Sequence, residues 1–134
     1  MTSVQKKIAY WILRLIAGAI MLQTLFFKFS AAPESVYIFS TLGIEPWGRI
    51  GTGVLELIAS ILILIPATTA FGALLGSGLM SGAILSHVTK LGIAVQGDHG
   101  RLFLYACLVS ISCLILLYTH RFQLPFVNFK RTAS

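Results

Sequence analysis

The chain has 134 residues, of which 57% are hydrophobic and only 10% charged, and its mean hydropathy is +0.89. An average soluble domain is about 25% charged, so a water-soluble globule is excluded and the question becomes how the chain sits in a bilayer. Ten Lys and Arg against four Asp and Glu leave a formal charge of +6, but the basic residues stand singly or in pairs between apolar runs, which fits flanks beside anionic lipid and not a nucleic-acid surface.

A hydrocarbon core of about 30 Å takes roughly 20 apolar residues per helix at about 1.5 Å each. Four runs approach that length, at residues 8–27, 48–65, 69–88 and 102–118. They predict an all-α fold, a transmembrane antiparallel four-helix bundle that forms a single integral membrane domain over residues 1–134. The first run follows Lys6 and Lys7 and is longer than the roughly 7 to 15 residues of a signal core; it reads as a span, not as a cleaved leader. Next, Pro33 and Glu34 look like a helix start and Gly43 like a C-terminal cap. Val36, Tyr37, Ile38, Phe39 and Leu42 leave that segment little polar face. A short interfacial helix is therefore expected between the first and second spans, roofing the bundle's mouth.

Pro66 and the segment Ala67, Thr68, Thr69 join the second and third spans with almost no loop, so these two should be antiparallel neighbours. Gly72, Gly76, Gly78 and Gly82 put small residues on nearly every side of the third span and predict close helix contact on several faces. Asp98, in the turn Gly97 to Gly100, is placed to cap the fourth helix. A faint repeat relates Leu42, Gly43, Ile44 before Gly48, Arg49 to Leu91, Gly92, Ile93 before Gly100, Arg101. Lys6, Lys7, Arg121, Lys130 and Arg131 flank one side, against Lys28, Arg49, Lys90 and Arg101 on the other, five to four. That bias favours both termini in the cytoplasm.

An ionisable group deep in a span costs about 2.5 to 3.5 kcal/mol, so it usually faces the bundle interior and has a partner. Arg14 and Glu56 qualify, at about 9 and 14 Å from the inner surface by helical rise. They are expected to pair, either as a structural ion pair or with Glu56 serving as proton carrier or ligand contact. Arg14, Ala17, Met21, Thr24 and Lys28 recur at helical spacing, as do Thr52, Glu56 and Ser60, and Gly76, Met80, Ala83, His87 and Lys90. These polar stripes should converge on a ligand-sized cavity open to the outer leaflet, with Lys28 and His87 at its mouth and Glu56 at its base. The basic residues there could hold an anion or a quinone carbonyl, or could simply snorkel to lipid phosphates; His87 is too short to snorkel far. Cys107 and Cys113 form no CxxC and read as packing residues. No paired His suits haem, no cluster has metal-ligand spacing and no Gly-rich loop follows a strand, so neither a metal nor an intrinsic cofactor is expected.

Arg14, Gly18 and Lys28 in the first span, Pro46 and Trp47 before Gly53 and Glu56, Pro66 at the hairpin, and Met80, Gly82, Ala83 and His87 in the third span together resemble the DoxX family, over roughly Leu13 to Leu117. The resemblance implies a small four-helix protein of the bacterial or archaeal cell membrane. The family is named for a subunit associated with a terminal quinol oxidase and with thiosulfate-to-quinone electron transfer, and relatives are linked to oxidative or thiol stress. The positions that match its polar sites are Lys28, Glu56 and His87, with no catalytic role implied for any of them. Three readings follow. The first is an accessory subunit of a quinone- or thiol-linked redox system in a bacterial inner membrane, with membrane lipid and an oxidoreductase subunit as partners; Arg14, Lys28, Glu56 and His87 would hold a quinone or lipid headgroup. The others are a small transporter or proton path, and a non-catalytic assembly or lipid-binding protein.

Overall fold

A computed structural model describes residues 1–127; Lys130 and Arg131, counted above for orientation, lie outside the described residues. Five helices follow in order: α1 (Ser3–Phe29), α2 (Pro33–Thr41), α3 (Trp47–Leu64), α4 (Thr69–Ser86) and α5 (Arg101–Thr119). Among the described residues there is no strand. α1 starts five residues before the expected run because Thr2 and Gln5 close a capping box, each side chain bonding the other's backbone N–H. α2 begins on Pro33 at its first turn, with Glu34 behind it, and ends before Gly43, whose φ of +79° reverses the chain. A single 3₁₀ turn, Pro66–Thr68, links α3 to α4, and a wider π-helical turn, His87–Leu91, ends α4.

Four helical segments, Ser3–Phe29, Trp47–Leu64, Pro66–Leu91 and Arg101–Thr119, are long and apolar enough to cross a membrane. Their surfaces are inverted relative to a soluble protein. Ile12, Leu15, Leu85 and Ile111 are more than half exposed, while Arg14, Arg49, Glu56 and His87 are each 6% exposed or less. Such a surface suits hydrocarbon as the outer solvent, where burial of charge inside the bundle is the favourable choice.

α1 packs on α3 and α5, and α4 packs on α3 and α5, so the four long helices form a closed ring. One half of the ring is solid. Ala17, Met21, Ala59, Ile63, Val109, Cys113 and Leu116 fill it. Close approach there depends on glycine: a Cβ on Gly72 would lie 2.5 Å from the Ile63 backbone nitrogen, and one on Gly76 would lie 2.8 Å from Cys113 Sγ. Gly78 and Gly82, by contrast, have nothing within 4 Å of a Cβ, so the small residues of α4 mediate close packing along its first half only.

The two repeated segments share a geometry. Gly43 and Gly92 both take positive φ, +79° and +82°, and in each copy the following isoleucine packs on the glycine that precedes the helix-opening arginine, Ile44 on Gly48 and Ile93 on Gly100. Asp98 secures the second copy. Its Oδ1 accepts from Val95 and Gly100 N–H at 2.9 and 2.8 Å, and its Oδ2 from Leu102 N–H at 3.2 Å, which ties the loop to the first turn of α5. Burial pushes the Asp98 carboxyl up, but these backbone donors together outweigh it and hold the group below the usual carboxylate range.

Candidate functional site

The half of the ring that the core does not fill encloses a cavity of about 450 Å³. The inward stripes of α1, α3 and α4 bring Thr24, Lys28, Thr52, Glu56 and His87 to its wall. α2 closes over it with Glu34, Ser35 and Phe39, and α5 adds Arg101 and Tyr105. The rest of the lining is mainly apolar, with Met21, Leu79, Met80, Ala83 and Val109 between the polar groups.

Glu56 does not pair with Arg14, as depth along the spans had suggested. Its Oε2 lies 3.1 Å from Lys28 Nζ, the two side chains being 4% and 15% exposed. Thr24 Oγ1 stands 3.5 Å from the same oxygen while donating to the Met21 carbonyl at 3.0 Å. One turn farther along α3, Ser60 Oγ donates to the Glu56 carbonyl at 2.8 Å. Arg49 fixes this end of α1: its Nη1 donates to the Lys28 carbonyl and its Nε to both oxygens of Glu45 at 2.9 and 3.1 Å.

His87 sits at the junction of α4 and the π-helical turn, 5% exposed, with Nδ1 2.9 Å from the Gly92 carbonyl. A carbonyl only accepts, so Nδ1 carries the proton, and in the neutral ring Nε2 is then an acceptor. The Phe103 ring meets it edge-on at 5.6 Å between centroids, which sets its plane. Glu34 Oε1 is buried with no hydrogen-bond partner among the described residues.

Arg14 lies in the other half of the molecule and does not line this cavity. Its Nε donates to Thr69 Oγ1 at 3.1 Å and its Nη2 lies 3.0 Å from His120 Nε2, at the start of α4 and the end of α5. The polar stripe of α1 thus serves two separate places, divided by Ala17 and Met21, both fully buried in the core. Lys90, on the α4 stripe by spacing, is exposed and outside the lining. Gln23, which falls off the α1 stripe, does reach the cavity rim.

The sequence matches the DoxX-like family over residues 12–113. The chain belongs to that family. The matched region contains the whole cavity lining, Ile20 to Val109. No curated protein and no solved structure matches the chain. With its four apolar helices, this DoxX-like chain is a small membrane protein.

Proposed function

We infer that the protein is an antiparallel four-span subunit that holds the polar head of a lipophilic small molecule, a quinone or a similar lipid headgroup, for a quinone- or thiol-linked redox partner in a bacterial inner membrane. Both termini face the cytoplasm, α2 lies at the outer interface, and the cavity opens on the outer-leaflet side. The observation that carries this reading is the Lys28–Glu56 ion pair, buried at the edge of a mostly apolar cavity of about 450 Å³. That volume falls in the range of roughly 300 to 1,000 Å³ of small-molecule sites, which likewise combine apolar walls with few polar groups.

The residues suit such a head. Lys28 has N–H donors beyond its bond to Glu56, fit for a ring carbonyl, while Glu56 Oε1 and His87 Nε2 are acceptors fit for a hydroxyl. Met21, Met80 and Leu79 offer adaptable apolar contact to a ring. Arg14 is not carried into this site. Binding is favoured over a transmembrane proton path because the fully buried Ala17, Met21, Ala59 and Ile63 separate Glu56 from the polar groups at the other end.

Purification in mild detergent followed by native mass spectrometry tests the reading. A quinone or lipid that co-purifies with the wild-type chain and is lost from Ala83→Phe, which fills the cavity without changing its charge, is the expected result. Equal retention by both proteins would remove it.

A further inference from the structure

The opposite end of the molecule carries a buried charge that no acidic side chain balances. Arg14 is 5% exposed, and its partners are the neutral hydroxyl of Thr69 and the imidazole of His120, with the Trp11 ring 4.9 Å from its guanidinium carbon. The His120 ring is held neutral there. Arg14 can only donate, so Nε2 must accept, and the Nδ1 proton goes to the Leu116 carbonyl at 3.0 Å. All four acidic side chains of the chain lie at the other end: Glu34 and Glu56 on the cavity, Glu45 on Arg49, and Asp98 at the start of α5. Among the described residues Arg14 has no carboxylate partner. A buried cation in apolar surroundings is strongly unfavourable unless an anion and further hydrogen bonds compensate it.

The fold leaves room for that anion. Arg14 is level with the start of α4 and the end of α5, and the turns of α1 that precede it, from Ser3 to Ile8, are exposed. Lys6, Tyr10 and Arg14 follow at four-residue spacing along α1, with Lys7 and Trp11 beside them. With Pro66 they line an open depression of about 550 Å³ into which Arg14 reaches from below. Both lysines are exposed. A planar guanidinium on the floor, two exposed ammonium groups on the wall and indole and phenol rings at the side are the donor set of a phosphate site.

We propose that Lys6, Lys7 and Arg14 bind a phosphate group at the end of the bundle opposite the cavity, as the headgroup of an anionic phospholipid or as free phosphate. The site is independent of the cavity's ligand. Lys6 and Lys7 fall before residues 12–113, the family match, whereas Arg14 falls inside it.

The full-length protein is placed in nanodiscs of phosphatidylcholine alone or mixed with phosphatidylglycerol. Native mass spectrometry then counts retained lipid, and thermal melting is recorded in sodium phosphate and in sodium chloride of equal ionic strength. Lys7→Ala and the double variant Lys6→Ala, Lys7→Ala probe the wall without disturbing the buried Arg14. Lys90→Ala removes the same charge at the other end. If the source is lipid, wild-type protein retains phosphatidylglycerol over phosphatidylcholine, and each lysine removed weakens that preference about 5-fold, the equivalent of about 1 kcal/mol per basic residue at an anionic surface, while Lys90→Ala does not. If it is free phosphate, phosphate raises the melting temperature in phosphatidylcholine nanodiscs and the double variant loses the rise. Neither effect, or an equal loss in Lys90→Ala, overturns the proposal.

Discussion

Lys28 on α1 and Glu56 on α3 form a buried ion pair, with 3.1 Å between Nζ and Oε2, at the wall of a mostly apolar cavity. The bond joins two helices at the level where the core stops filling the ring. Removing one partner leaves an uncompensated charge, so Lys28→Met should destabilise the protein by about 3 to 5 kcal/mol, whereas Lys28→Met with Glu56→Leu should be milder. Unfolding titrations in mixed micelles, run as a double-mutant cycle, measure the difference. A double variant whose loss equals the sum of the two single losses would mean that the pair is not coupled.

Gly72 should be the least replaceable glycine of α4. Its added Cβ would meet backbone atoms, Ile63 N at 2.5 Å and Ala59 O at 2.7 Å, which can move only if α3 and α4 separate. Gly72→Ala is expected to cost about 1 to 3 kcal/mol through overpacking. Gly82→Ala, with open space around the new methyl group, should leave the melting temperature near that of the wild type. A reversed order of stabilities would contradict the observed α3–α4 contact.

Asp98 organises the entry to α5 through three backbone N–H groups. Asp98→Ala should lower stability by about 1 kcal/mol, the usual loss of a helix cap, and Asp98→Asn should retain part of it. Because the folded carboxyl titrates below its unfolded value, its contribution is fully present above the unfolded pKa and is lost as pH falls through the folded one. The stability difference between wild type and Asp98→Asn should therefore narrow under acid. A constant difference would show that the charge of Asp98 does not matter.

His120 should give the opposite end its own pH dependence. Burial pushes the imidazole down, the Leu116 carbonyl opposes this, and the Arg14 guanidinium adds to the depression. The unfolded chain then binds a proton more readily than the folded one. The stabilisation by neutral His120 is complete above the unfolded value, about 6.5, and is lost as pH falls through the folded pKa. Melting temperatures of wild type and His120→Gln should converge as pH falls below the unfolded value; parallel pH profiles would exclude it.

Much of the fold was legible in the sequence because helix length in a bilayer is set by geometry. The four runs located the long helices within a few residues, and Pro33 with Gly43 located α2. The inward stripes were also legible, since an apolar medium forces polar groups to one face. The partner of Glu56 was not. Depth counted from the ends of apolar runs assumes that all helices start in one plane, but Arg14 lies level with Thr69 at the start of α4 and His120 at the end of α5, and Lys28 is the residue that reaches Glu56. The contribution of α5 was hidden as well. Its run is apolar on all sides and shows no stripe, so Tyr105 gave no signal that it faces the cavity, whereas Arg101 stood among the basic residues expected at that end.

The central claim is that the cavity beside Lys28 and Glu56 binds a lipophilic headgroup, and its most direct test is a fluorescence-quenching titration of the purified protein with a short-chain quinone and its quinol. Wild-type protein should saturate, Glu56→Gln and His87→Ala should each weaken binding by about 10-fold, as expected for loss of a hydrogen bond of roughly 1.4 kcal/mol, and Ala83→Phe should abolish it, with Lys90→Ala unchanged. Saturable binding that is the same in all five proteins, or no saturable binding to the wild type, would contradict the claim.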